Sequence, residues 1–175
     1  LHSHQGLVDD ARRMAISVID SMPGTAPVVV DSAGCGAALK DYGHLVGTAA
    51  AHEFAARVVD VHEWLAPHMP ALLGASPTPT RTSVIVQDPC HLRHVQKAHA
   101  SVRTVLSAVA DVVELDDDGM CCGAGGAYSA LQPEMAGLVR DRKVAAIDRA
   151  AQGQQLTIAS ANPGCLMHLE GAGLD

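Results

Sequence analysis

The sequence predicts an α/β fold with parallel sheets, arranged as two Rossmann-like lobes that repeat one another, with cysteines in loops at the carboxyl ends of strands. Three observations predict it. Short runs of β-branched residues alternate with segments of helical period, the pattern of a parallel α/β sheet. Each of the five cysteines follows one of those short runs. The order turn, helix, break, strand, Gly-Cys occurs twice, from Leu1 to Cys35 and from Gly125 to Cys165.

In chain order, a polar turn at Leu1–Gly6 precedes a helix whose Leu7, Val8, Ala11, Met14, Ala15, Val18 and Ile19 recur at helical spacing, with Asp9, Asp10, Arg12 and Arg13 opposite them. Pro23-Gly24 stops that helix. Pro27–Val30 reads as a short buried strand running into Asp31-Ser32-Ala33-Gly34-Cys35-Gly36. A helical turn over Ala37–Tyr42, a helix from Thr48 to Arg57, a brief strand at Val58–Val61 and a helix through Trp64 complete the first half.

The stretch 74–83 has the proline and turn content of a linker. It separates 1–73, the rear half of a first repeat, from 84–175, a complete second repeat. Val84–Val86 is the next strand and enters Gln87-Asp88-Pro89-Cys90-His91. A helix over Ser101–Ala108 leads to a strand at Val112–Leu115, and Asp116-Asp117-Asp118-Gly119, read as a solvated turn, delivers Cys121-Cys122. Pro133-Glu134 opens a helix with Met135, Leu138, Val139, Ala145 and Ile147 on its apolar side. A last strand, Leu156–Ala159, precedes Asn162-Pro163-Gly164-Cys165 and a short helix holding His168.

Composition bounds the function. A chain of 175 residues, 48% hydrophobic, buries a core without disulfides, and five cysteines are too sparse and odd in number for a secreted disulfide scaffold. Thiols in a reducing, cytoplasmic compartment follow. A net charge of −7 with scattered Arg and Lys excludes a nucleic-acid footprint, and no apolar run has the length of a membrane span. A chain opening at Leu1 reads as a piece of a longer protein or a trimmed one.

The improbable stretch is Gly119-Met120-Cys121-Cys122-Gly123-Ala124-Gly125-Gly126. In open α/β sheets the loops at strand carboxyl ends converge, so Cys90, Cys121, Cys122 and Cys165 meet in space. A single tetrahedral zinc would take Cys90, one of the adjacent pair, Cys165 and His168, but two neighbouring cysteines on one ion are strained. A multi-iron cluster offers different metal atoms to Cys121 and Cys122, while Gly123, Gly125 and Gly126 supply amides to its sulfurs. A vicinal disulfide is a third arrangement, and four buried core cysteines are the bland one. His168, at i+3 from Cys165, either replaces a thiolate or is a solvated surface histidine. His91 is a supporting donor beside Cys90, and most of the other histidines read as solvated. The glycines lack the G-x-G-x-x-G spacing of a dinucleotide site.

Asp-Pro-Cys at Asp88–Cys90, Cys-Cys-Gly at Cys121–Gly123 and Asn-Pro-Gly-Cys at Asn162–Cys165 resemble the cysteine-rich "CCG" domain of the heterodisulfide reductase B subunit and several oxidoreductase iron–sulfur subunits. With Leu1–Gly6, Ala33–Gly43 and Leu166, they look most like the iron–sulfur subunits of bacterial glycolate oxidases. In that family two such repeats follow a ferredoxin-like portion, so the resemblance makes this chain a C-terminal part. The family's Cys-x-x-Cys ending is replaced by Cys165 and His168.

The resemblance implies an electron-transfer subunit of a flavin-dependent 2-hydroxy-acid (glycolate) dehydrogenase. It implies an iron–sulfur cluster, 4Fe–4S in kind, on Cys90, Cys121, Cys122 and Cys165, with zinc or free thiols in the isolated piece. FAD would lie only in a partner subunit, and the electron acceptor in or at the membrane, to which the protein would attach peripherally through its partners. A zinc-stabilised docking module without redox role and a thiol enzyme acting on disulfides, or a lactate-oxidation subunit, are the alternatives. By the repeat, Cys35 belongs to an incomplete first site, its cysteine pair preceding Leu1, with His2, His4 and His44 near it.

Overall fold

The computed structural model describes residues 2–74 and 81–173. A 3-10 turn at Ser3–Gln5 leads to α1 (Val8–Ser21), then β1 (Val28–Val30), α2 (Ala33–Lys40), α3 (Tyr42–Val46), α4 (Ala49–Arg57), β2 (Val58–Asp60), α5 (Val61–Leu65), a 3-10 turn at Ala66–His68 and α6 (Met69–Gly74). Then come β3 (Ser83–Gln87), a π-helical turn at His91–Gln96, α7 (His99–Ser107), β4 (Asp111–Glu114), α8 (Tyr128–Leu131), α9 (Pro133–Ala151), β5 (Thr157–Ser160) and α10 (Pro163–Glu170). The expected linker falls mostly on residues outside those described.

All strand pairs are parallel, as the alternation of strand and helix requires. β1 pairs with β2, Val29 opposite Val59. β3 is the centre of a three-stranded sheet of order β4-β3-β5, with Ile85 opposite Val113 on one side and Ile158 on the other. Being central, β3 is buried over Ile85–Gln87, whereas the flanking β4 and β5 are only half-buried.

Two apolar clusters hold the molecule together. Ala33 from the first half packs with Val86, Leu92, Ala98, Val102 and Ala161 from the second. Leu92 is fully buried there, which contributes about 2 kcal/mol. The Ala33 amide donates to the Ala161 carbonyl at 3.0 Å and the Gln96 side chain donates to the Ala33 carbonyl at 2.8 Å, so the two halves are joined by backbone as well as by apolar contact. The second cluster, Ile85, Cys122, Ile147, Cys165 and Leu169, lies between the three-stranded sheet and α9 and α10.

Helix faces depart from the sequence pattern in two places. On α1 only Ala11 and Ala15 are buried, and Leu7, Val8 and Met14 face outward. On α9 the buried residues are Ala136, Lys143, Ala146 and Ile147, while Met135, Leu138 and Ala145 are exposed. Of the apolar side expected for α9 only Ile147 is buried, because the face turned inward is the one that carries Ala136, Lys143 and Ala146. Among the described residues no helix is long and apolar enough to cross a membrane.

Candidate metal centre

The carboxyl ends of β3, β4 and β5 are fixed to one another by polar side chains before any cysteine is considered. Gln87, fully buried at the end of β3, accepts from the Ser160 hydroxyl at 2.7 Å and donates to the Asp88 carbonyl at 2.7 Å. Asp88, also buried, accepts from Arg93 at 3.0 Å and from Arg103 at 2.6 Å. Arg103 grips Glu114 at the end of β4 through two further bonds, of 2.8 and 2.6 Å, and Arg93 reaches Asp118 at 2.7 Å. A buried carboxylate is tolerated only when it is paired in this way.

In the turn Asp116–Asp118, read from the sequence as solvated, Asp116 and Asp118 are exposed and Asp117 is not. Asp116 pairs with Arg149, whereas the Asp117 side chain is only 6% exposed and pairs with the Nζ of Lys143, which is wholly buried on α9. The other Asp117 oxygen accepts from the Gly119 amide at 3.0 Å, which turns the chain toward Cys121. Three aspartates beside a glycine look solvent-facing in sequence; the burial of Lys143 follows from packing that no local pattern reveals.

Past the cysteine pair the backbone runs against α9. Gly123 has φ +94°, and a Cβ there would stand 2.5 Å from the Ala136 carbonyl oxygen and 3.1 Å from the Nε2 of His168. Only glycine fits. The Gly123 amide donates to the Cys121 sulfur at 3.3 Å, while Gly125 and Gly126 also have positive φ but lie exposed on the way to α8.

The thiols of Cys90, Cys121, Cys122 and Cys165 neighbour one another in that order, each acting on the ionisation of the next. Cys90 sits at the start of the π-helical turn, Cys121 and Cys122 in the loop after β4, and Cys165 in the first turn of α10. Cys122 and Cys165 are buried and Cys90 and Cys121 half-buried. The Cys121 thiol is held well below the ordinary range, first by the Cys122 and Cys90 thiols that donate to it and then by the Gly123 amide and nearby His91, against the effect of burial. Cys165 is lowered by the Cys122 thiol, by Asn162 and by the charge of Lys143. Cys90 is pushed up by its bond to Cys121 and by burial, and Cys122 by its bonds to Cys121 and Cys165 and by burial. His91 lies 3.6 Å from the Cys90 sulfur through its Nδ1.

Asn162 connects this series to the first half of the chain. It occupies the N-cap position of α10, yet its side chain makes no cap. Its amide donates instead to the Cys165 sulfur at 3.3 Å, and its oxygen accepts from the Ser32 hydroxyl at 3.1 Å and the Gly34 amide at 3.2 Å. Ser32, the N-cap residue of α2, likewise leaves its own helix uncapped. Two helix starts that read as equivalent in sequence therefore meet through their capping side chains. Cys35, in the first turn of α2, is exposed and free.

The site's donors fit a thiolate-bound multinuclear group: four contiguous sulfurs, amide donors from Gly123 and Asn162, and a buried, unpartnered His168 Nε2 against the loop.

Other histidines have local structural partners. His62 Nδ1 lies 2.9 Å from the buried Asp60, which caps α5 with help from Glu63, and His94 Nε2 is 3.2 Å from the Gly119 carbonyl. His44 lies edge-on to His52, and the His4 side chain lies outside those described. Sequence reasoning missed Lys143, Arg93, Arg103 and Gln87. The one available signal was that Gln87, Asp88 and Arg93 flank Cys90 so closely.

Comparison with known proteins agrees with the cysteine pattern. A family model described as the cysteine-rich domain, CCG, matches residues 84–170. The chain is 29% identical to the probable glycolate oxidase iron-sulfur subunit of Bacillus subtilis (strain 168), covering 97% of this chain and 39% of that protein. It is 31% identical to the glycolate oxidase iron-sulfur subunit of Escherichia coli (strain K12), covering 86% and 37%. It is 32% identical to a dihydromethanophenazine:CoB--CoM heterodisulfide reductase subunit of Methanosarcina barkeri (strain Fusaro / DSM 804), covering 93% and 40%. The chain thus spans about two fifths of the length of these relatives. Cys90, Cys121, Cys122 and Cys165 all fall inside the matched segment, so residues 84–170 of this chain are a CCG cysteine-rich domain.

Proposed function

We propose that this chain is the cysteine-rich part of an iron–sulfur electron-transfer subunit of a flavin-dependent 2-hydroxy-acid dehydrogenase, with glycolate as the substrate acid. Cys90, Cys121, Cys122 and Cys165 would hold the cluster. The observation that carries the reading is the contiguity of these four thiols, delivered by three separate strand ends and partly sealed from water by Ile85, Ile147 and Leu169. When bound, a thiolate-held iron–sulfur cluster supplies one-electron transfer at a potential set by its surroundings. This chain's own part is to orient the sulfurs, to donate amides from Gly123 and Asn162, and to limit water. Substrate oxidation belongs to a flavin in a partner subunit, and the electrons leave toward an acceptor at the membrane. The glycolate oxidase names of the Bacillus subtilis and Escherichia coli relatives support that choice of partner and substrate.

Iron and acid-labile sulfide in the full-length subunit, purified without oxygen, test the cluster. Iron with matching sulfide is expected; stoichiometric zinc would point to a docking module instead. C121S and C122S should each abolish electron delivery from glycolate to the downstream acceptor while the flavin partner still reduces an artificial dye. Undiminished coupled activity in both variants would remove the ligand assignment.

A further inference from the structure

Lys143 is the molecule's outlier. Its side chain is 0% exposed, in the middle of α9, between residues that pack on the three-stranded sheet. Lysine is almost never wholly buried unless paired, because taking an ammonium out of water is costly and a buried ion pair recovers that cost only in good geometry. Its partner is Asp117, which is itself buried. The neighbouring Val144 packs against the cluster that contains Cys122 and Cys165. Apolar residues of the same volume would hold α9 to the sheet equally well. The charge therefore calls for another role.

Asp117 uses one oxygen on Lys143 and the other on the Gly119 amide, and its carbonyl accepts from the Met120 amide at 3.0 Å. The chain leading to Cys121 is thereby bound to a residue that cannot move without moving α9.

We infer that Lys143 is a positioning residue for this loop: through Asp117 it anchors to α9 the stretch that carries Cys121 and Cys122, and the anchor needs no metal.

The test uses the full-length subunit in four forms: wild type, K143M, K143R and K143M/D117N. The double variant leaves no unpaired buried charge, so it keeps the measurement available should K143M fail to fold. Hydrogen exchange across 117–123 reads the anchor without reference to metal: both K143M forms should lose amide protection there, and K143R should retain it. Unchanged protection in the K143M forms overturns the anchoring role.

Discussion

At the scale of single residues, Gly123 is the position with least freedom. Its φ of +94° and the 2.5 Å approach of the Ala136 oxygen to a would-be Cβ both forbid a side chain. We expect G123A to destabilise the protein by about 1–3 kcal/mol, the range for backbone strain at such a position, and to lower iron content in the full-length subunit. Thermal denaturation and metal analysis would check both, and unchanged values would show that the loop has room to shift. Asp116 gives a gentler test. Two bonds from Arg149 hold its carboxyl below the usual carboxylate range, chiefly by hydrogen bonding. A folded value below the unfolded one means that the contribution is present above the unfolded value and is lost as pH falls through the folded one. D116N should therefore flatten the acid limb of a stability–pH curve, below about pH 4, and change little at neutral pH, since the pair is exposed. Greater acid sensitivity in the variant would contradict this sign.

At the scale of elements, the cysteine positions were legible because they sit at strand ends, where a one-dimensional pattern maps directly onto space. Cys90 follows β3, the Cys121–Cys122 pair follows β4, and Cys165 follows β5. What was not legible is what the elements do to their own ends. Asp117 and Lys143 are 26 residues apart, and their pairing depends on how α9 lies across the sheet. Ser32 and Asn162 look like ordinary N-caps, and only their meeting across 130 residues shows that neither caps its helix. From this, N162A should leave α10 formed, since no cap is lost, yet free Ser32 and Gly34 from the second half. Circular dichroism should show little loss of helix while hydrogen exchange at Gly34 rises; a large loss of helix would mean that Asn162 does cap α10 in solution.

At the scale of the whole molecule, the two sheets are separate, but Ala33 belongs to the same apolar cluster as Val86, Leu92 and Ala161. Shared packing of this kind makes unfolding cooperative across the boundary. The one tryptophan, Trp64, lies in the first half, so its fluorescence and the far-ultraviolet signal of the long α9 should report a single denaturant midpoint. Two resolved midpoints would restore independent lobes. The exposed Cys35 gives the same junction a practical value. A fluorophore attached there stands one residue from the Gly34 amide, which shares Asn162 with the Cys165 sulfur. The dye would therefore act as a remote gauge, signalling by intensity or lifetime when the sulfurs on the far side of the asparagine gain or lose what they bind.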